Sequence, residues 1–127
     1  MVTTRTDALG QQAQYTYDSY GRLSEVQYFK PKGGSEYTNQ RVNYYYDNTL
    51  PPIGQQLEFP TQPTFPQNSM GRLSAVVFGG GVTDAYQDYY YYLYNHNQAG
   101  RVTAQLMGVQ LPNYNSPYTW MSFNAAY

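Results

Sequence analysis

The chain has 127 residues, a formal net charge of −1 and only 12% charged residues, which indicates one small domain. With no cysteine and a single histidine, disulfides, thiol catalysis and ordinary zinc sites are excluded, so we expect no metal and no cofactor. Five scattered arginines at near-neutral charge do not form a basic surface, and we expect no nucleic-acid partner. No apolar stretch approaches the length of a membrane span.

Tyrosine dominates the composition, with 17 copies among 127 residues. Because charged residues are few, the usual charge-driven reason for disorder is missing. Each tyrosine can bury a large ring and still present a hydroxyl group to a partner or to water. We therefore predict a folded domain whose core is rich in tyrosine.

A sequence motif appears first as a half-copy at 6–11 and then in full at 15–26, as Tyr-x-Tyr-Asp, two residues, Gly-Arg-Leu-x-x-Val. Asp18 ends a strand where a short acceptor can bind the amides of a turn. Gly21 allows the positive φ that such a turn requires. Arg22 can pair with an aspartate of its own or a neighbouring turn and lie on a tyrosine ring. The motif therefore predicts a β-hairpin.

Two further copies follow. The second is split between 44–48 and 71–76, and the third between 92–95 and 100–102, with Asn95 in place of Asp and two extra residues in its turn. Period-two patterning predicts strands throughout rather than helices. The residues that we assign to the structural motif are Tyr15, Tyr17, Asp18, Gly21, Arg22, Tyr44, Tyr46, Asp47, Gly71, Arg72, Tyr92, Tyr94, Asn95, Gly100 and Arg101.

The split in the second copy is an insertion over 49–69, between Asp47 and Gly71, and it holds five of the chain's eight prolines. Proline removes a ladder donor and fixes the backbone, so we predict a loop outside the sheet that folding can dispense with. The chain is then one domain, 1–127, with repeat one at about 12–43, repeat two at about 44–88, repeat three at about 89–110 and a tail at 111–127. Strands are expected at 14–18, 22–30, 37–47, 72–78, 84–95, 101–110 and 118–123.

The motif resembles the YD repeat, or Rhs repeat, of large proteins that are mostly secreted or surface-bound. The resemblance extends from Thr6 to about Leu106. It implies hairpins that wind into a continuous sheet, often a closed shell, as in bacterial toxin complexes and animal teneurins. The expected fold is all-β: tandem hairpins in one twisted sheet, solenoid-like or shell-like, stacked with neighbouring repeats or subunits.

No pattern in the sequence indicates catalysis. The motif's aspartates and arginines recur in every unit, which an active site seldom does. We interpret His96 as a solvated turn residue, so a Ser-His-Asp constellation is not expected. The glycines at 79–81 lack the Lys-Ser/Thr of a phosphate loop and predict a hairpin turn. The expectation is that the protein is not an enzyme.

The segment 86–94 is aromatic on both faces of a strand. Tyr86, Tyr90, Tyr92 and Tyr94 alternate with Tyr89, Tyr91 and Leu93. We favour burial between two layers. The alternative is an exposed platform that contacts an identical subunit or stacks on a glycan, through Tyr86, Tyr89, Tyr90, Tyr91 and Tyr92.

The function that these patterns indicate is a non-catalytic structural repeat module of an extracellular or cell-surface assembly, bacterial in origin. It would stack into a fibre or wall with identical subunits or with further repeats of the same polypeptide, of which this chain is a piece. Two alternatives stay open. One is part of a hollow shell that encloses a toxin or other cargo. The other is a tyrosine-rich carbohydrate-binding adhesin module.

Overall fold

The structure, a computed structural model, describes residues 1–51, 65–79, 89–111 and 119–126. Eight strands form one antiparallel sheet in which each pairs with the next along the chain, and this confirms the all-β fold of tandem hairpins. The strands are β1 (Thr4–Thr6), β2 (Gln12–Tyr17), β3 (Leu23–Phe29), β4 (Val42–Tyr46), β5 (Leu73–Phe78), β6 (Tyr89–His96), β7 (Val102–Leu111) and β8 (Thr119–Ala126). Two 3₁₀ helices, Pro31–Gly33 and Thr38–Gln40, lie between β3 and β4.

Successive connections alternate between the two ends of the sheet, because the strands follow one another in chain order. The connections 18–22, 47–72 and 97–101 lie at one end, which we call the turn edge. The connections 7–11 and 30–41 lie at the other end. The half-copy of the motif at 6–11 therefore belongs to the end opposite the three later copies.

The same bulge follows each connection at the turn edge. In the first hairpin Thr16 pairs with Glu25 and Tyr17 pairs with Leu23, so Ser24 is an extra residue. The equivalent extra residues are Ser74 in the second hairpin and Thr103 in the third. A bulge of this kind strengthens the local twist. The repeat thus includes one turn and one bulge in each hairpin.

This register corrects the alignment of the third copy. His96 pairs with Val102 across the bulge, as Tyr17 pairs with Leu23 in the first hairpin. Asn97 therefore follows His96 as Asp18 follows Tyr17, and the connection has no extra residues. The prediction that Asn95 replaces the aspartate is wrong, because a histidine stands where the other copies have their second tyrosine.

One side of the sheet carries tyrosines from every hairpin. Strand register places on this side Tyr15, Tyr17, Tyr44, Tyr46, Tyr90, Tyr92 and Tyr94, which we call the tyrosine face. Tyr92 has ring contacts on this side of the sheet. Tyr92 meets Phe78 edge-on with centroids 6.0 Å apart and stacks near Tyr94 at 6.5 Å. Such aromatic pairs add to what area burial alone contributes.

The opposite side holds the buried core, over β5 to β7. Its members are Ala75, Val77, Tyr91, Leu93 and Leu106, each at most 2% exposed. Leu50 and Phe65 of the insertion pack against this cluster, and Pro51 is buried as well. The described ends of the insertion therefore pack against the second side of the sheet over β5 to β7, and the expectation of a dispensable loop outside the sheet does not fit this packing.

Tyr91 shows how closely this core is packed. Its ring lies over Gly108 on β7, where a Cβ atom would come within 1.9 Å of Tyr91 Cζ. Burial raises the pKa of Tyr91 to about 12. The favoured two-layer burial of this strand thus holds on one side only, since Tyr90 on the other side is 42% exposed.

Most strand bounds lie within one or two residues of expectation, and three differences are larger. The strand predicted at 37–47 begins only at Val42, because Thr38–Gln40 forms a 3₁₀ helix. The sequence did not predict β1, and the last strand runs three residues beyond the expected 123. Residues 80–88, with most of the glycine turn and the first part of the strand predicted at 84–95, lie outside the described residues. The repeat boundaries stay a prediction.

If the insertion completes the core, Phe65→Ala should destabilise the protein by roughly 1–3 kcal/mol, since a half-buried ring is lost. Met70→Ala is the matched control, because Met70 lies in the same connection and is 66% exposed; its cost should stay within about 0.5 kcal/mol. Urea unfolding followed by circular dichroism measures both. Equal, small losses would show that the insertion does not hold the core.

Candidate functional site

The first turn at the turn edge is closed by the backbone and side chain of Asp18. Asp18 N–H donates to the Arg22 carbonyl at 2.8 Å, and Gly21 N–H donates to the Asp18 carbonyl at 3.0 Å. Asp18 Oδ1 accepts from the amides of Tyr20 and Arg22, both at 2.9 Å. Gly21 has a φ of 77°, which a side chain would strain. This is a tight turn followed by a left-handed residue.

The third turn repeats these contacts around Asn97. Its N–H donates to the Arg101 carbonyl at 2.9 Å, and its Oδ1 accepts from Arg101 N–H at 3.0 Å. Gly100 has a φ of 83°. Asn97, not Asn95, therefore closes this turn. Asn97 and Arg101 are four positions apart, as are Asp18 and Arg22, and this spacing is the sequence signal that identifies Asn97.

The second turn keeps the same closure although its two halves are far apart in sequence. Asp47 and Gly71 are 24 positions apart (71 − 47), yet Gly71 N–H donates to Asp47 Oδ1 at 2.6 Å. Asp47 N–H donates to the Arg72 carbonyl at 3.3 Å. Asp47 itself adopts a φ of 59°, a region that Asp and Asn tolerate best. The insertion thus leaves the end of the hairpin in place.

Arg22 joins the first turn to the second. Its Nε donates to Asp18 Oδ2 at 2.7 Å, while Nη1 and Nη2 donate to the two oxygens of Asp47 at 3.0 and 2.5 Å. The guanidinium also lies 4.4 Å from the ring centroid of Tyr46 and 5.0 Å from that of Tyr20. A planar cation with five donors suits such a forked contact, which lysine could not reproduce. We call this contact the arginine clamp.

The clamp shifts the ionisation of its members. The hydrogen bond from Arg22 lowers the pKa of Asp47, with help from the Gly71 amide. Partial burial acts to raise the pKa of Asp18, but hydrogen bonds from the backbone and side chain of Arg22 outweigh it and the net shift is downward. The two carboxylates raise the pKa of Arg22, Asp47 more than Asp18. All three groups therefore favour their charged forms.

Arg72 connects the second turn to the third without an ion pair among the described residues. Its Nη1 donates to the Asn68 carbonyl at 2.7 Å. The guanidinium lies against Gly100, where a Cβ atom would come within 2.8 Å of Arg72 Nε. The third turn offers the neutral Asn97 where the second offers Asp47. The contact between neighbouring turns is thus ionic in one case and steric in the other.

The end of the insertion is attached to β6 by backbone and side-chain hydrogen bonds. Gln67 forms a parallel bridge with Asn95, whose Oδ1 accepts from Gln67 N–H at 2.7 Å. His96 N–H donates to the Gln67 carbonyl at 3.0 Å, and Asn68 Nδ2 donates to the His96 carbonyl at 2.9 Å. Asn95, which is buried, therefore anchors the insertion.

His96 is not the solvated turn residue that the sequence predicted. It is the last residue of β6, is 8% exposed, and its Nδ1 lies 3.0 Å from Ser69 Oγ. Burial lowers the pKa of His96, and nearby Arg72 lowers it further, because both disfavour the imidazolium. Ser69 is fully buried and its Oγ also donates to the Gln67 carbonyl at 3.3 Å. The pair serves to hold the insertion in place.

The tyrosines proposed as contact residues separate into two groups. Tyr90 is 42% exposed and Tyr92 is half-buried, so both can meet a partner on the tyrosine face. Tyr91 is 2% exposed, and its assignment as a contact residue is wrong because the insertion covers it. Tyr89 opens β6, and Tyr86 lies outside the described residues.

The two outer strands differ in length and charge. β1 has three exposed residues, Thr4 to Thr6, with Arg5 at its centre. β8 has eight residues, Thr119 to Ala126, with no charged residue, glycine or proline among them. Within the described residues β8 pairs with β7 alone. One side of β8 therefore presents backbone donors and acceptors that no described strand satisfies.

Among the described residues, no three side chains of aspartate, glutamate, histidine or cysteine lie close enough together to bind a metal ion. In the same part of the chain, no helix is both long and apolar enough to cross a lipid bilayer.

Hairpins that share one turn, one bulge and an arginine between turns define a β-repeat protein. Residues 1–35, which hold β1 to β3 and the first complete motif, match the family described as RHS Repeat. Residues 1–35 therefore match an Rhs repeat, which confirms the resemblance for the first complete copy of the motif. This is a structural repeat family, typical of cell-surface or extracellular proteins. Comparison with curated proteins found no match, and neither did comparison with solved structures.

Because the folded state lowers the pKa of Asp47, its contribution to stability is present above the ordinary value near 3.9 and is lost as the pH falls through the folded value. Asp47→Asn keeps the acceptor for Gly71 but removes the charge. We expect it to lower the thermal midpoint at pH 7, and we expect the difference from the unsubstituted protein to shrink below about pH 4.

Asp7→Asn is the matched control. Asp7 Oδ1 accepts from the Leu9 and Gln11 amides at 2.9 Å in an equivalent turn, but no arginine among the described residues pairs with it. The midpoint should change little. A loss of equal size in both variants, or a difference that does not depend on pH, would contradict the arginine clamp.

Proposed function

We propose that this chain is a non-catalytic structural module whose sheet is continued by neighbouring Rhs repeats or identical subunits into an extracellular fibre or wall. The observation that carries the proposal is β8, an eight-residue outer strand without a charged residue. Natural sheets guard their outer strands with short length, charge or proline. β8 is long and carries neither a charged residue nor a proline. These properties favour a strand that pairs with another chain or repeat.

The contrast with β1 supports growth of the sheet at β8 rather than at β1. β1 is three residues long and carries Arg5, so two of the usual protections are present at that side of the sheet. A sheet with one guarded and one open side suits a module that adds its neighbour at a defined place.

The tyrosine face supplies a second surface for assembly. Leu50 and Phe65 cover the core side of the sheet, but Tyr90 remains 42% exposed on the other side. Tyrosine is enriched at protein interfaces because its ring is apolar and its hydroxyl tolerates water. Low overall charge reduces the repulsion between copies.

Within the described residues, two groups of polar side chains that could suggest catalysis make structural contacts instead. Asp18 and Arg22 are occupied with turn amides and with the arginine clamp. Ser69 and His96 contact each other where Ser69 is fully buried. These contacts support a structural rather than a catalytic function.

Sedimentation velocity over a range of concentrations tests the proposal. The unsubstituted chain should self-associate, while Ala125→Lys should shift it towards monomer and leave the circular dichroism unchanged. Ala125 pairs with Gln105 on β7, so lysine there places a charge on the outer strand, a device by which natural sheets prevent such pairing.

Thr4→Lys on β1 is the control and should sediment like the unsubstituted chain. A folded chain that stays monomeric at high concentration would refute continuation of the sheet between subunits. Equal effects of the two lysines would show that β8 is not the side at which the sheet grows.

A further inference from the structure

His96 is the chain's single histidine, and it stands where the other complete copies of the motif have Tyr17 and Tyr46. Both of those tyrosines are half-buried, whereas His96 is 8% exposed. At this one position the chain replaces a side chain that stays neutral near pH 7 with one that gains a proton around pH 6.5. The third hairpin therefore carries a buried titratable group that its neighbours lack.

The last residues of the insertion are what bury His96. Ser69, which is fully buried, places its Oγ 3.0 Å from His96 Nδ1. The Gln67 carbonyl accepts from His96 N–H at 3.0 Å, and Asn68 Nδ2 donates to the His96 carbonyl at 2.9 Å. These three side chains are neutral, and the partner of His96 on β7 is the apolar Val102. Neither the insertion end nor β7 thus brings a negative charge to the imidazole.

The charged side chain that acts on His96 is Arg72, just before β5, and it has the same sign as an imidazolium. No carboxylate among the described residues pairs with either group. The contact with Ser69 survives protonation, because Ser69 Oγ can accept from Nδ1 while it donates to the Gln67 carbonyl at 3.3 Å. The cost of protonation is therefore a buried cation beside a like charge, and not a lost hydrogen bond.

Opening of the joint between the insertion and β6 removes this cost and leaves the sheet intact. The insertion meets β6 through one isolated bridge, between Gln67 and Asn95, whereas β6 and β7 share a ladder of eight pairs. Because His96 is the last residue of β6, water can reach it without unpairing the rest of the strand. Segments with few contacts open at a lower free energy than a continuous ladder does.

We infer that His96 is an acid-sensitive latch, whose protonation releases residues 65–70 from the end of β6 while the hairpins stay paired. Every group involved belongs to one chain, so the latch does not rest on the proposed assembly. Because the folded state lowers the pKa of His96, the closed joint has its full stability above about pH 6.5 and loses it as the pH falls through the folded value. Release carries Phe65 away from the core cluster that it packs against.

Hydrogen exchange followed by NMR between pH 7 and pH 5 tests the latch on the full 127-residue chain. Because the protein has one histidine, the ring signals report the pKa of His96 directly. As the pH falls, the protection factors of the His96 and Ser69 amides should drop several-fold, and by at most about tenfold per pH unit, since one proton is taken up. The Asp18 amide, which donates across the first turn at 2.8 Å, is the internal control and should keep its protection.

His96→Asn is the variant for comparison, because its amide oxygen offers Ser69 a neutral acceptor that does not titrate. Its Ser69 amide should have the same protection at pH 7 and at pH 5. Four results would overturn the inference: a ring pKa of 6.5 or above, protection of Ser69 that does not change with pH, an equal loss at Asp18, or a loss that persists in His96→Asn. The first three are measured on the unsubstituted chain, so they hold however the variant folds.

Discussion

Arg22 donates hydrogen bonds to two carboxylates that belong to different hairpins, Asp18 in its own turn and Asp47 in the next. Either aspartate also binds the backbone amides that close its turn. The cation therefore fixes the ends of two hairpins together and does so beside the ring of Tyr46. Because the same turn and bulge recur in the third hairpin, one short motif sets the spacing of all three ends along the turn edge. The repeated motif thus places three hairpin ends side by side along one edge of the sheet.

The two sides of the sheet are covered in different ways. The core side over β5 to β7 is closed by the insertion, through Leu50 and Phe65 and through the bridge between Gln67 and Asn95. The tyrosine face has no comparable cover within the described residues. The chain thus covers one side of β5 to β7 with its own residues, while the tyrosine face is left for a neighbour. This division agrees with a repeat family whose units stack on one another.

Local sequence patterns predicted the hairpins. Contacts between residues far apart in the sequence could not be predicted from those patterns. Asp18, Gly21 and Arg22 define a turn whose chemistry is contained within five residues, so the hairpin could be derived from spacing alone. The third copy was misaligned because Tyr92 and Tyr94 imitate the motif in a tyrosine-rich strand, while His96 occupies the true tyrosine position. The burial of His96 and Tyr91 depends on an insertion far away in sequence, which no periodicity reveals.

Arg22 and Asp47 act as one unit across two hairpins. The most direct test is a double-mutant cycle of Arg22→Gln and Asp47→Asn, with thermal unfolding measured at pH 7 and low salt for all four proteins. Coupled residues lose their shared contact once, so the double variant should lose less stability than the sum of the two single variants. Losses that simply add would show that the two hairpins are held together independently of the arginine clamp.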